Sequence, residues 1–160
     1  MIDRYKFFHG AALLSISQAT RKPIAIESLQ GAYENNAYVI NNSAGLYIKH
    51  STARLSPWTF TFHKKHQDTI KELKDIYGRA ILLLVCNSDG IVGLDFEELK
   101  EVLDHNHTEV EWIRVARTKG SLYKVTGSDG TLKLKVGMED YKNKALGLQG
   151  IAGGCNSLEC

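Results

Sequence analysis

Between residues 49 and 65 the chain carries Lys49, Arg54, Lys64 and Lys65 among Trp58, Phe60, Phe62 and His63. Such cations hold phosphate oxygens without reading sequence, and aromatic faces stack unpaired bases, so the segment has the residue types of a nucleic-acid surface. Its spacing separates two jobs. Trp58, Phe60 and Phe62 recur at period two, which puts the three rings on one strand face and makes them core residues. Arg54, Lys64 and Lys65 need no burial and stay available to a phosphate ligand. The histidines at 50, 63 and 66 lack the company of a zinc site, since Lys64 and Lys65 between the last two oppose a cation. His105-Asn106-His107 reads as a polar loop, and the metal ligands stay unassigned. Three cysteines, Cys86, Cys155 and Cys160, without CxxC spacing, fit neither a disulfide framework nor a zinc knuckle. Cys86 ends an apolar run with no basic neighbour in sequence, the setting of an inert thiol. With no GxxxxGK, and no GxGxxG between a strand and a helix, nucleotide hydrolysis is disfavoured.

The elements that position these residues follow from periodicity. Residues 4–19 carry Phe8, Ala12, Ile16 and Ala19 at helical spacing, weakened by Gly10 and stopped before Pro23. Short strands are predicted at 24–26, 37–40, 46–49 and 58–62, an antiparallel meander whose middle turn is built from Asn41, Asn42, Ser43 and Gly45. A helix follows over 66–77, with Ile70, Leu73 and Tyr77 on one face and Gly78 as its stop. The continuous apolar run 80–86 predicts a strand covered on both faces, at or near the middle of a sheet. A strand at 91–94 leads into a helix capped by Asp95 with Glu98 three residues on, its inner face lined by Phe96, Leu99 and Leu103. Strands at 110–116, 122–126 and 132–136 end in a hairpin through Gly127-Ser128-Asp129-Gly130, in which Lys133 and Lys135 face solvent and Leu132, Leu134 and Val136 face inward. Beyond Tyr141 the pattern gives way to Gly-rich sequence. Residues 1–144 are therefore expected to form one globular domain and 145–160 a flexible tail.

The order helix, three strands, helix, strand, with Gly45-Leu46-Tyr47-Ile48-Lys49-His50-Ser51-Thr52 and then Trp58-Thr59-Phe60-Thr61-Phe62, resembles the core of the PD-(D/E)XK, or restriction-endonuclease-like, superfamily. The fold class expected is mixed α/β, that core being followed by the C-terminal hairpin. Lys49 stands where the family lysine stands. The resemblance implies a nucleic-acid-associated protein, with Mg2+ as cofactor if it is an enzyme, because phosphodiester hydrolysis needs carboxylates to hold the metal and a lysine to orient water and offset developing charge. Tyr47 occupies the family's acidic position two residues before the lysine, which leaves Glu27 and Glu34, both upstream, as the carboxylate candidates beside Lys49. An inactive or repurposed nuclease fold, binding DNA or RNA through Arg54, Lys64 and Lys65, fits that departure better than an active enzyme.

Composition excludes other classes. With 160 residues, 43% hydrophobic, 24% charged and a net charge of +2, the chain is neither disordered nor strongly polyanion-seeking as a whole. Its longest apolar run is too short for a membrane span, and no secretion signal is legible at the N-terminus, so a cytoplasmic location without membrane partners is expected. Charge alternates along the chain: Lys and Arg outnumber Asp and Glu seven to three over 49–79, are outnumbered eight to one over 87–111, and lead again eight to three over 112–144. Such blocks orient a domain on a polyanion. They also support a second reading, a small protein-interaction or regulatory module that docks a protein partner through its acidic 95–111 segment and exposed hairpin.

Overall fold

A computed structural model describes residues 1–31 and 34–148. The chain starts with α1 (Arg4–Gln18) and continues through β1 (Ile26–Leu29), β2 (Ala37–Ile40) and β3 (Ala44–Ser51), paired antiparallel in that order. Asn41 and Asn42 make the tight β2–β3 turn, both at left-handed φ (51° and 52°), a region asparagine tolerates better than other residues with a side chain. β5 (Ala80–Cys86) lies parallel to β3, reached by way of α2 (Lys64–Tyr77), and β6 (Gly90–Asp95) returns antiparallel beside it. The sheet order is β1-β2-β3-β5-β6. All seven residues of β5 are buried, and it lies inside the sheet with α2 against it, as its unbroken apolar run requires.

Alternation along β5 divides the core. Leu82, Leu84 and Cys86 join the cluster that holds Ile70 and Leu73 of α2, while Ile81, Leu83 and Val85 pack with Ala12 and Ile16 of α1 and with Tyr141 and Ala145 of α4 (Asp140–Leu146). Gly93 in β6 lets α4 lie close: a Cβ there would be 2.6 Å from Tyr141 Cβ.

The second sheet corrects the meander reading. β4 (Trp58–Phe62) leaves the first sheet and pairs antiparallel with β7 (Glu111–Ala116), which continues to β8 (Lys124–Gly127) and the two-residue β9 (Gly130–Thr131). The reason is geometric. Both edges of β3 are occupied, by β2 and β5, so β4 has no free edge there, and its three aromatic rings need a new apolar surface. Trp58, Phe60 and Phe62 are all buried, with Ile113 and Val115 of β7 in the same cluster. A polar latch joins the two sheets at one end. Arg117 holds Asp89 through Nε and Nη2 (2.7 and 2.9 Å), Tyr123 donates to the same carboxylate at 2.6 Å, and the guanidinium holds the Asp89 carboxyl below the usual range.

Other boundaries move for local reasons. The first strand begins at Ile26 rather than 24, and α2 begins two residues before the expected start, with His63 as its N-cap. α3 (Phe96–Val102) carries the expected capping box, the Glu98 N–H donating to Asp95 Oδ1 at 2.8 Å and the Asp95 N–H to Glu98 Oε1 at 3.0 Å. The strand expected at 132–136 does not form: the Lys133 N–H donates to Glu101, Val136 returns only as a single bridge to Tyr123, and Leu134 is exposed rather than inward. α4 extends regular structure past Tyr141 to Leu146, where Gly147 takes a left-handed C-cap. Residues 149–160 of the Gly-rich tail lie outside the described residues. Among the described residues, no helix is long and apolar enough to cross a membrane.

Gly10 sits mid-helix in α1, with nothing within 4 Å of where a Cβ would be. Gly10→Ala is expected to raise stability by about 0.5–1 kcal/mol, because alanine loses less backbone entropy in a helix. Urea denaturation checks this; an unchanged or lowered midpoint contradicts it.

Candidate functional site

Side chains alternate along β3, so Tyr47 and Lys49 share the face that looks toward α2. The two meet different fates there. Tyr47 is buried in the core, while Lys49, near the strand's end, is half-buried beneath the first turn of α2. Its ammonium lies 3.3 Å from His66 Nδ1 and 4.9 Å from the centroid of the Phe62 ring. His66 Nδ1 also accepts the His63 N–H at 3.1 Å, the bond that closes the N-terminus of α2. Accepting from both donors leaves Nδ1 without a proton, so the neutral ring carries its hydrogen on Nε2. Burial, then the Lys49 charge, lowers His66 to about 4, in keeping with that neutral form. Burial also lowers Lys49 to about 8, against the opposing pull of the Glu34 carboxylate.

Glu34 reaches this place from the turn before β2, where it and Asn35 take left-handed φ of 51° and 65°. Asn36 then extends the ladder, accepting the Ile48 N–H at 2.9 Å and donating its side-chain amide to the Ile48 carbonyl at 2.7 Å. The Glu34 carboxylate holds the Lys65 ammonium, which lowers its pKa, with His66 and Lys49 adding to the effect. The site therefore gathers Glu34, Lys49, Phe62, His63, Lys65 and His66 at the positive end of α2, whose first turn contains no acid.

Of the residues expected from sequence, Glu34, Lys49 and Lys65 come together, and Lys64 adjoins them, paired with Asp68. Glu27 does not belong. It pairs with Val39, which pairs with Gly45, so Lys49 is four residues farther along the sheet, about 13 Å at 3.3 Å per residue, and two strands away. Arg54 is exposed in the loop after β3. Sequence reasoning had no signal for His66 as the acceptor for Lys49, since its role depends on a helix start two residues earlier than the apolar pattern indicates. Cys86 is buried and its thiol pushed up to about 12, an inert group as expected.

Protein-family models, curated proteins and solved structures yield no match to this chain. Its chemistry is therefore read from the site alone. Among the described residues Glu34 is the one carboxylate whose charge acts on Lys49, and no group of three potential metal ligands includes it. A half-buried lysine ammonium, two exposed lysines and a helix N-terminus are equipped to hold an anion, but they do not supply the paired carboxylates of a metal nuclease. Lys49 is expected to titrate near pH 8 when its Cε shift is followed by NMR; an ordinary lysine value near 10.5 refutes the burial described.

On the opposite face of β3, His50 stacks on Phe8 with ring centroids 4.4 Å apart. Buried His9 places Nδ1 2.6 Å from the Tyr38 hydroxyl, while its Nε2 has no partner. Burial, then nearby His50, lowers His9 to about 4. Because the folded value lies below the unfolded one, stability is complete above about pH 6.5 and falls as pH drops toward 4. His66 acts with the same sign. The stability lost between pH 7.5 and 4.5 in urea is expected to shrink in His9→Gln; an equal loss contradicts the assignment.

The acidic 95–111 segment is largely engaged within the fold. Glu98 pairs with Lys144 at 2.9 Å, Glu101 accepts the Lys133 N–H, and Glu111 meets Gln67. His107 lies 2.9 Å from Asp68 and 3.1 Å from the Lys100 ammonium.

Proposed function

We propose that this is a cytoplasmic nucleic-acid-binding protein on a restriction-endonuclease-like core, which grips the phosphodiester backbone at the N-terminus of α2 rather than cleaving it. The observation that carries the reading is the half-buried Lys49, held under a helix start that contains two lysines and two histidines but no acid. Cations at the positive end of a helix repel its dipole, and burial weakens an ammonium; an approaching phosphate reverses both effects. Lys64 and Lys65 already hold Asp68 and Glu34, so a phosphate would exchange with these exposed ion pairs, a replacement of small cost. Arg54 extends the cationic surface along the loop after β3. The element order α1, β1, β2, β3, α2, β5 supports the resemblance, and the placing of β4 in the second sheet departs from it. Mg2+ belongs only to the nuclease alternative, which the single carboxylate beside Lys49 disfavours.

The test is fluorescence anisotropy with labelled single- and double-stranded DNA and RNA across a salt series, alongside cleavage assays in Mg2+ and Mn2+. Binding at low salt whose logarithm falls linearly with log salt is expected, without cleavage. Absence of binding at low salt refutes the reading and leaves the interaction module. Metal-dependent cleavage lost in Lys49→Ala restores the active nuclease.

A further inference from the structure

The three rings of β4 lie in the core, but Trp112 of β7 does not: it is 40% exposed. Alternation places it outside. In β4, Trp58, Phe60 and Phe62 turn inward and Thr59 and Thr61 outward; in β7, Glu111, Ile113 and Val115 turn inward and Trp112 and Arg114 outward. Lys124 and Thr126 of β8 and Thr131 of β9 continue this outer face. Its register pairs Thr61 with Trp112, Thr59 with Arg114, Arg114 with Thr126 and Thr126 with Thr131. The Trp112 N–H donates to Ser128 Oγ at 2.8 Å and the Trp112 carbonyl accepts the Ser128 N–H at 3.0 Å, which fixes β7 at this point against the β8–β9 turn.

The outward residues of these strands include no acid and, apart from Trp112 and Ala116, no apolar side chain. Among the described residues neither Arg114 nor Lys124 forms an ion pair. A stable protein interface is centred on an apolar, desolvated patch, which this face lacks. Free cations beside hydroxyls suit phosphate and sugar oxygens instead, and an exposed ring offers a platform on which an unpaired base stacks whatever its sequence. Trp112 and Arg114 stand two residues apart on one face, about 7 Å, so neighbouring parts of one strand can meet both. The face also adjoins the start of α2: Thr61, across from Trp112, precedes Lys64 by three residues, at most about 11 Å of chain.

We propose that the outer face of the second sheet binds single-stranded nucleic acid, with Trp112 stacked on an unpaired base, Arg114 and Lys124 on phosphates, and the threonine hydroxyls on phosphate or sugar oxygens. The inference deepens the reading of the α2 site and rests on it for the class of polymer. It adds the form of the ligand. Bases within a duplex are stacked on one another and present only their edges, so the ring selects an unpaired strand. Lys64 and Lys65 then hold the strand where it leaves the sheet across Thr61, and the two surfaces form one track.

The experiment titrates the full chain with oligothymidylate, oligouridylate and a mixed-sequence DNA duplex, read by anisotropy and by tryptophan fluorescence. Trp58 is buried, its indole N–H donating to the Ala53 carbonyl at 2.9 Å, so quenching by a stacked base reports Trp112. Single strands are expected to bind more tightly than duplex and to quench, the tighter of the two identifying the sugar. Trp112→Ala should weaken single-strand binding about fivefold or more and leave duplex binding unchanged, while Trp112→Phe keeps most of the affinity. Arg114→Gln and Lys124→Gln should each lower the single-strand salt slope by about 0.7. Circular dichroism confirms that these exposed-site variants are folded. Single-strand binding undiminished in Trp112→Ala, an equal loss for single strand and duplex, or tighter binding of duplex overturns the proposal. If Lys49→Ala still weakens binding in any of these cases, the α2 reading survives alone; no binding of any probe by the parent removes both.

Discussion

Gly93→Ala is expected to destabilise the protein by about 1–3 kcal/mol, the usual range for forcing atoms into a packed interior, and to loosen α4 from the sheet. The new methyl would stand 2.6 Å from Tyr141 Cβ and 2.7 Å from Tyr141 Cα. No rotamer change relieves a clash with backbone, so the helix itself must move. Tyr141 and Ala145 would then lift from Ile81, Leu83 and Val85, and Lys144 would lose its 2.8 Å bond to the Gly93 carbonyl. Urea denaturation measures the cost, and hydrogen exchange over residues 140–146 reports the loosening. The opposite sign is expected at Gly10, so the pair separates space from helix propensity. A Gly93→Ala protein as stable as the parent would mean that α4 does not pack where described.

Lys49→Ala is expected to weaken nucleic-acid binding at least tenfold at low salt, about 1.4 kcal/mol, and to make the salt dependence shallower by about 0.9 in slope for each phosphate no longer neutralised. Stability should change little, since the variant removes an ammonium that burial already disfavours. His66 supplies the check on mechanism: without the Lys49 charge nearby its pKa should rise from about 4, visible in the imidazole proton shifts. Unaltered affinity and slope in Lys49→Ala would remove the lysine from the binding surface. Altered affinity with no movement of His66 would contradict the geometry around it.

What the sequence reveals and what it hides follow from the range of the interactions. The interior position of β5 is legible because seven consecutive apolar residues cannot face water on either side. The Asp95–Glu98 cap and the core role of Trp58, Phe60 and Phe62 are legible for the same reason, since each rests on neighbours a few residues apart. The departure of β4 from the first sheet is not, because its partner Ile113 lies far along the chain from Phe60. α4 escapes notice because its inward face consists of little more than Tyr141 and Ala145. At the candidate site, Lys49 is marked by its place at a strand's end, and Glu34 by being upstream and acidic. What joins them is a left-handed turn at Glu34 and Asn35 and a helix start at Lys64, neither visible as hydrophobic period.

The exchange of β4 between sheets also governs how the chain must fold. The first sheet is assembled from local hairpins and one short crossover, while the second takes its first strand from before α2 and the rest from after α3. Neither sheet is a contiguous stretch of sequence, so no simple cut yields two independent halves. A chain ended after β6 would keep the three aromatic rings of β4 and lose the strand that pairs with it. The rings find their partner only once the intervening crossover, hairpin and helix are laid down, which makes β4–β7 closure a late, high-contact-order event and binds both sheets into one cooperative unit.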